Sequence, residues 1–246
     1  MATYIISDIH GCFDEFKRLL EKIDFSEDDE LYILGDVVDR GDEPISIIKD
    51  IMKRENVFFI KGNHELMMLD AFDSFLGIEI TEKSIDELSD DKLYPYFAWL
   101  ENGGDTTMKQ FHELSREERA DVLEYIRDAY DYDAIEVDGN LYILVHAGLD
   151  NFSPDKELDE YTIEDIVWAR TDYDMRYYPS ERIFLVTGHT PTPLFRRDRQ
   201  PLIYKENGHI AIDCGCHFGG RLAAYCIETG EATYVDSDKY KKDAFE

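Results

Sequence analysis

Short apolar runs recur along the chain, and several of them end on a small cluster of polar residues instead of an ordinary turn. Tyr4 to Ser7 reads as a strand and meets Asp8-Ile9-His10-Gly11, after which Phe13, Phe16, Leu19, Leu20 and Ile23 fall at helical spacing. Leu31 to Leu34 is a second strand ending at Gly35-Asp36. A helix carrying Ile45, Ile47, Ile48 and Ile51 follows, and Val57 to Ile60 is a third strand ending at Gly62-Asn63-His64-Glu65. This β-α-β-α-β beginning predicts a parallel core sheet and an α/β fold. From Leu66 to about Asp131 the periodicity is helical, with Leu93, Phe97 and Leu100 in one segment and Leu114, Val122, Leu123 and Ile126 in another. A helical insertion at about 66–131 is therefore expected, broken by a loop at Asn102-Gly103-Gly104.

Ala134 to Val137 and Leu141 to Val145 flank Asp138-Gly139-Asn140, a hairpin signal whose second run ends at His146-Ala147-Gly148. Ile183 to Val186 is a further strand, ending at Gly188-His189-Thr190. Leu202 to Tyr204, His209 to Ile212, Leu222 to Ile227 and Ala232 to Val235 then suggest an antiparallel finish. No repeat, low-complexity linker or composition break divides the chain, so a single domain over 1–246 is expected.

Composition narrows the partners. The 55 acidic against 26 basic side chains leave a net charge of −29, which lacks the clustered cations that nucleic acid or an anionic membrane would need. The acidic stretches Asp24 to Glu30, Asp155 to Asp165 and Asp236 to Glu246 read as solvated faces and a solubilising tail. No apolar run approaches the roughly 18 residues that span a bilayer. The first residues have neither a basic leader nor a cleavable apolar segment. Four cysteines, unevenly placed, do not make a disulfide framework. A cytoplasmic location is expected.

The polar strand ends carry the candidate chemistry. Ligands in open α/β sheets gather beyond the carboxyl ends of strands, so Asp8 with His10, Asp36 with Asp39, Asn63 with His64, His146 and His189 are candidates for one crevice. Each taken singly also reads as a turn former, a helix cap or a surface histidine. Together they include four of the seven histidines of the chain, which favours a shared site. Carboxylates and imidazoles without cysteine suit two divalent ions of the Mn, Fe or Zn kind better than a structural zinc. Asp36 is the candidate bridge, with Asp8 and His10 on one ion and Asn63, His146 and His189 on the other. Such a pair clamps a phosphoryl group and activates water.

In order, Asp8-Ile9-His10-Gly11, Gly35-Asp36-Val37-Val38-Asp39-Arg40-Gly41, Gly62-Asn63-His64-Glu65, His146-Ala147-Gly148 and Gly188-His189-Thr190 resemble the motifs of the calcineurin-like metallophosphoesterases. Asn102-Gly103-Gly104, Val167-Trp168-Ala169-Arg170 and Ile212-Asp213 with Gly215 make the fuller resemblance one to the phosphoprotein phosphatase branch, in its compact form known from bacteriophage lambda and bacteria. The resemblance covers nearly the whole chain. It implies a β-sandwich of mixed sheets flanked by helices, in four layers α/β/β/α. It also implies metal ligation by Asp8, His10, Asp36, Asn63, His146 and His189, with manganese as the first candidate and Fe, Zn, Ni or Co as alternatives. His64 matches the general acid, Asp39 the carboxylate that orients it, and Arg40 and Arg170 the arginines that hold phosphate oxygens. Cys214, within Asp213-Cys214-Gly215-Cys216, departs from the family pattern and reads as a free core cysteine.

The expectation that follows is a two-metal phosphomonoesterase, a serine/threonine protein phosphatase acting on a phosphorylated protein or peptide by in-line attack of metal-bound hydroxide. A symmetrical diadenosine tetraphosphate hydrolase, acting on a dinucleoside polyphosphate, is the alternative with the same motifs. A metal-binding scaffold is the non-enzymatic one, disfavoured by Asp39, His64, Arg40 and Arg170. Two further clusters identify no substrate: Arg196 with Arg197 and Arg199 reads as a surface loop that offsets local acidity, and Tyr94 with Tyr96, Phe97 and Trp99 could line a groove but reads rather as a helix packed onto the core.

Overall fold

The computed structural model describes residues 1–76 and 89–239. Its first sheet has, in order, β10 (Ala232–Asp236), β9 (Arg221–Cys226), β1 (Thr3–Ile6), β2 (Glu30–Leu34) and β3 (Val57–Ile60). β1, β2 and β3 run parallel, joined by α1 (Phe13–Lys22) and α2 (Pro44–Ile51). The second sheet has, in order, β4 (Tyr132–Val137), β5 (Asn140–Val145), β6 (Ile183–Thr187), β8 (His209–Ala211) and β7 (Tyr204–Glu206). β4 and β5 form the expected hairpin, and β6 lies parallel to β5.

The chain does not end as a simple antiparallel meander. β7 pairs antiparallel with β8, yet β8 runs parallel to β6. β9 and β10 cross to the first sheet, where β9 runs antiparallel to β1. Both sheets are therefore mixed. Alternation along single strands cannot report this, because partner choice across the chain is a tertiary decision.

Side-chain alternation builds the layers. On β1 and β2, Ile6, Leu31 and Ile33 point toward α1 and α2, where Phe16, Leu19, Ile47, Ile48 and Ile51 are buried. Their neighbours Ile5, Tyr32 and Leu34 point the other way and meet Tyr142, Leu144, Val186 and Ile210 of the second sheet. Ile143, Val145 and Leu185 form the far face, covered by Ile166 and Val167 of α7 (Ile163–Val167). Helix, sheet, sheet, helix is the result, the four layers that the resemblance implies. Each fully buried aliphatic side chain contributes roughly 1.5–3 kcal/mol.

Within 66–131, the described residues form the end of α3 (Asn63–Ala71), a π-helical turn (Phe72–Leu76), α4 (Asp90–Trp99), a second π-helical turn (Leu100–Gly104), α5 (Asp105–Glu113) and α6 (Arg116–Asp128). The expected break at Asn102-Gly103-Gly104 is that second turn, with Gly103 at φ +99°. Residues 77–88 of the expected insertion lie outside the described residues. A Ser115–Glu118 capping box starts α6: Glu118 N–H donates to Ser115 Oγ at 3.2 Å and Ser115 N–H to the Glu118 carboxylate at 2.9 Å. No described helix is long and apolar enough to cross a membrane.

Candidate functional site

β1, β2, β3, β5 and β6 each release their chain at one edge of the sandwich, and the next few residues carry the polar clusters. The turns are tight. Asp8, His10, Asp36, Asp39, Arg40 and His189 all have positive φ, from 44° to 71°, a region costly for side chains other than Asn, Asp and Gly. Glycines let these turns approach one another: a Cβ on Gly62 would lie 2.2 Å from Asp36 Oδ1, and one on Gly188 2.2 Å from Asp8 Oδ2.

Asp36 stands at the centre and is buried. Its Oδ2 lies 3.4 Å from His10 Nε2, and its Oδ1 lies 3.4 Å from His146 Nε2. His10, Asp36 and His64 form one group whose ligand atoms are mutually within 4.8 Å; Asp36, His146 and His189 form another. Asn63 joins the second, its Oδ1 3.0 Å from His146 Nε2 and 2.9 Å from His189 Nδ1. Asp8 belongs to neither group: it is buried beside them, its Oδ2 accepting the His189 backbone N–H at 2.9 Å.

The ring orientations are set from behind. His146 Nδ1 is 2.7 Å from the Leu34 carbonyl and His10 Nδ1 is 3.0 Å from the Val38 carbonyl. A carbonyl accepts only, so each Nδ1 carries the proton and each Nε2 presents a lone pair. His146 Nε2, Asp36 Oδ1 and Asn63 Oδ1 are then three acceptors in close contact, met only by the His64 backbone N–H, which donates to Asp36 Oδ1 at 3.1 Å, and by at most one N–H on His189 Nδ1. A crowd of acceptors of this kind suits a cation. Electrostatics agree: burial and neighbouring carboxylates push Asp8 and Asp36 well above the usual carboxylate range. Burial holds His146 down to about 3, and burial with the His146 ring holds His189 down to about 2. Neutral imidazoles and reluctantly ionised carboxylates are what a divalent ion binds and stabilises.

Arg40 reaches over both rings of the first group, with Nη1 donating to His10 Nε2 at 2.7 Å and Nη2 to His64 Nε2 at 2.8 Å. Arg170 donates to His189 Nε2 at the other side. Two guanidinium groups therefore flank the centre of a chain whose net charge is −29.

His64 is buried, and its Nδ1 lies 2.7 Å from Asp39 Oδ2. Asp39 also accepts from Trp99 Nε1 at 2.9 Å and Thr107 Oγ1 at 2.6 Å. Burial raises Asp39 to about 7 and lowers His64 to about 3, the latter helped by the Arg40 charge. The dyad thus resists charge separation until an anion arrives to favour an imidazolium.

Several supporting residues escaped the reading of the sequence. Glu65 accepts four backbone amides, from Gly62 and Asp36 at 2.8 Å, Val37 at 2.9 Å and Val38 at 3.2 Å, and so shapes the turn that carries Asp36. Asp213 is buried beside Asp8 and caps the Gly215 amide at 2.8 Å. Trp99 and Thr107 hold Asp39, and Gly104 packs against the Trp99 ring, where a Cβ would lie 2.6 Å away. The motif Asn102-Gly103-Gly104 was visible; its function, to seat Trp99 and to accept the Arg40 N–H on the Gly103 carbonyl at 3.0 Å, was not. From the sequence alone Trp99 reads only as a groove or core aromatic.

The other clusters resolve simply. Arg196 is paired with Asp198 at 2.7 Å, and the cleft of about 440 Å³ that it lines with Arg197 also carries Asp172, Asp174, Asp198 and Glu206, a poor place for phosphate. Cys214 and Cys216 are buried free thiols, Cys216 in contact distance of Cys12 and Glu15.

Over residues 1–235 the sequence matches the family described as Calcineurin-like phosphoesterase. The chain belongs to the calcineurin-like phosphoesterases. A relative from Geobacillus sp. (strain WCH70), bis(5'-nucleosyl)-tetraphosphatase PrpE [asymmetrical], is 27% identical over 96% of this chain and 95% of its own length. The symmetrical bis(5'-nucleosyl)-tetraphosphatase of Haemophilus ducreyi is 39% identical, over 34% of this chain and 32% of its own. A crystal structure described as that of a candidate diadenosine tetraphosphatase superposes with a TM-score of 0.64 at 18% identity, over 96% of this chain and 93% of that one, a likeness of fold. This phosphoesterase thus has a family whose chemistry is metal-dependent hydrolysis at phosphorus. The names of its relatives fit the dinucleotide alternative better than the expected protein phosphatase.

Proposed function

We propose that this phosphoesterase hydrolyses dinucleoside polyphosphates at a centre of two divalent cations, as one catalytic domain in the cytoplasm. The observation that carries the chemistry is the shared carboxylate: Asp36 turns one oxygen toward His10 and the other toward His146. Asp36 would be held in common by the two ions. Asp8 and His10 would serve the first, and Asn63, His146 and His189 the second. Manganese is the first candidate. When bound, the two ions polarise the phosphoryl group and acidify water.

Arg40 and Arg170 hold the phosphate oxygens, leaving their imidazole partners as the anion enters. His64 delivers a proton from Nε2 to the departing oxygen, and Asp39, fixed by Trp99 and Thr107, keeps the ring turned and stabilises its cationic form. A scaffold would have no use for this acid or for the two guanidinium groups. The substrate class is supported by the full-length relatives, and it replaces the protein phosphatase expectation because no observation of the site calls for a peptide.

The test compares kcat/KM of the manganese-loaded enzyme on diadenosine tetraphosphate and on phosphoserine, phosphothreonine and phosphotyrosine peptides, with products separated by chromatography. Higher kcat/KM on the dinucleotide is expected. Two ADP would assign symmetrical cleavage, ATP with AMP asymmetrical cleavage. A peptide preferred over the dinucleotide overturns the proposal.

A further inference from the structure

Among the described residues, two of the large apolar side chains left in solvent sit against the site itself. Trp168 is 41% exposed and its ring meets the His189 ring edge-on, with centroids 6.3 Å apart. Phe218 is 50% exposed and lies under the Arg40 guanidinium, 5.3 Å from ring centre to Cζ. It also touches His217, whose ring stands 6.4 Å from that of His10. Neither ring is needed to fill the core. Exposed aromatic faces beside a polar site mark binding surfaces.

Their places relative to Asp36 differ. Phe218 and Arg40 are on the His10 side, whereas Trp168 and Arg170 are on the His189 side. Each side of the central carboxylate thus holds one guanidinium and one exposed aromatic ring. A ligand complementary to that arrangement has a flat π system at each end and an anionic chain between. From this geometry we infer that Trp168 and Phe218 are the nucleobase platforms of the site, one for each end of a dinucleoside polyphosphate. The inference rests on the proposed function and names the residues that select its substrate. A phosphoserine side chain offers one dianion and no ring, so it gains nothing from the paired arrangement. Stacking tolerates any base, since each has a π face, and strengthens with ring size.

The experiment measures kcat/KM on diadenosine tetraphosphate and on p-nitrophenyl phosphate, a substrate without a base, for the metal-loaded wild type and for Trp168→Ala, Phe218→Ala, Trp168→Phe and Phe218→Tyr. The ratio of the two values is expected to fall about tenfold or more in each alanine variant, chiefly through KM for the dinucleotide. The aromatic replacements should restore it. Fluorescence gives a second readout, because the chain has 2 tryptophans and Trp99 is wholly buried. A methylene-bridged dinucleotide analogue that resists hydrolysis should quench the wild-type emission and leave that of Trp168→Phe unchanged. Alanine variants that keep the wild-type ratio, or an analogue that inhibits without quenching, overturn the inference while the proposed function stands. A wild type that turns over p-nitrophenyl phosphate and not the dinucleotide overturns both.

Discussion

Replacing Glu65 by Gln should cost far more than a neutral isostere would on a surface. The Glu65 carboxylate receives four amides, two on each oxygen: Val37 and Val38 on Oε1, Asp36 and Gly62 on Oε2. A carboxamide has one oxygen, so two of these buried N–H groups would face its NH₂ and lose their acceptor. Each such loss is worth about 1–3 kcal/mol, so the two together amount to about 2–6 kcal/mol, a large share of the roughly 5–15 kcal/mol that holds a domain folded. The urea midpoint of the metal-free variant should fall by about 1–3 M if the slope is near 2 kcal/mol/M. Because the affected amides belong to the turn that carries Asp36, manganese retained after dialysis should fall as well. A variant within about 0.5 kcal/mol of wild type that also keeps its metal would refute the reasoning, and would assign the shape of this turn to its backbone alone.

Two further outcomes follow from the same geometry. Exchanging His64 for Asn should slow hydrolysis of a phosphoserine peptide by roughly 10² to 10⁴, since an alkoxide needs its proton; diadenosine tetraphosphate should lose much less because a phosphate oxygen leaves readily, and equal losses would remove His64 from the acid role. Between about pH 7.5 and 8.5 the chelated protein should become less stable as pH rises: Asp8, Asp36 and Asp39 have raised folded-state pKa values, Asp39 at about 7, so the folded state keeps protons that the unfolded state has released. The histidines, His209 among them, have lowered folded-state values and act in the opposite sense until the unfolded chain has lost their protons, about one pH unit above 6.5. Metal should reduce the decline by replacing the protons on Asp8 and Asp36, and a chelated protein whose thermal midpoint climbs across this interval contradicts the assignment.

Much of this site was legible because its chemistry is local to strand ends. Asp8, His10, Asp36, Asn63, His64, His146 and His189 each follow a short apolar run, and strands of a sandwich deliver their ends to one edge whichever sheet they join. The hairpin at Asp138-Gly139, the helices after β1 and β2 and the break at Gly103 were likewise written in spacing and in turn residues. Partner choice was different. That β8 runs parallel to β6, and that β9 crosses to lie beside β1, depends on long-range pairing that no local window contains. The same holds for the second layer of the site. Nothing near Trp99 in the chain announces Asp39, 60 residues away, and Glu65 looks like any acidic residue in the first turn of a helix until four amides are seen to converge on it. Residue type and period set what each segment offers; only the packed chain decides which buried donors meet which acceptors, because satisfying them is a condition on the whole interior.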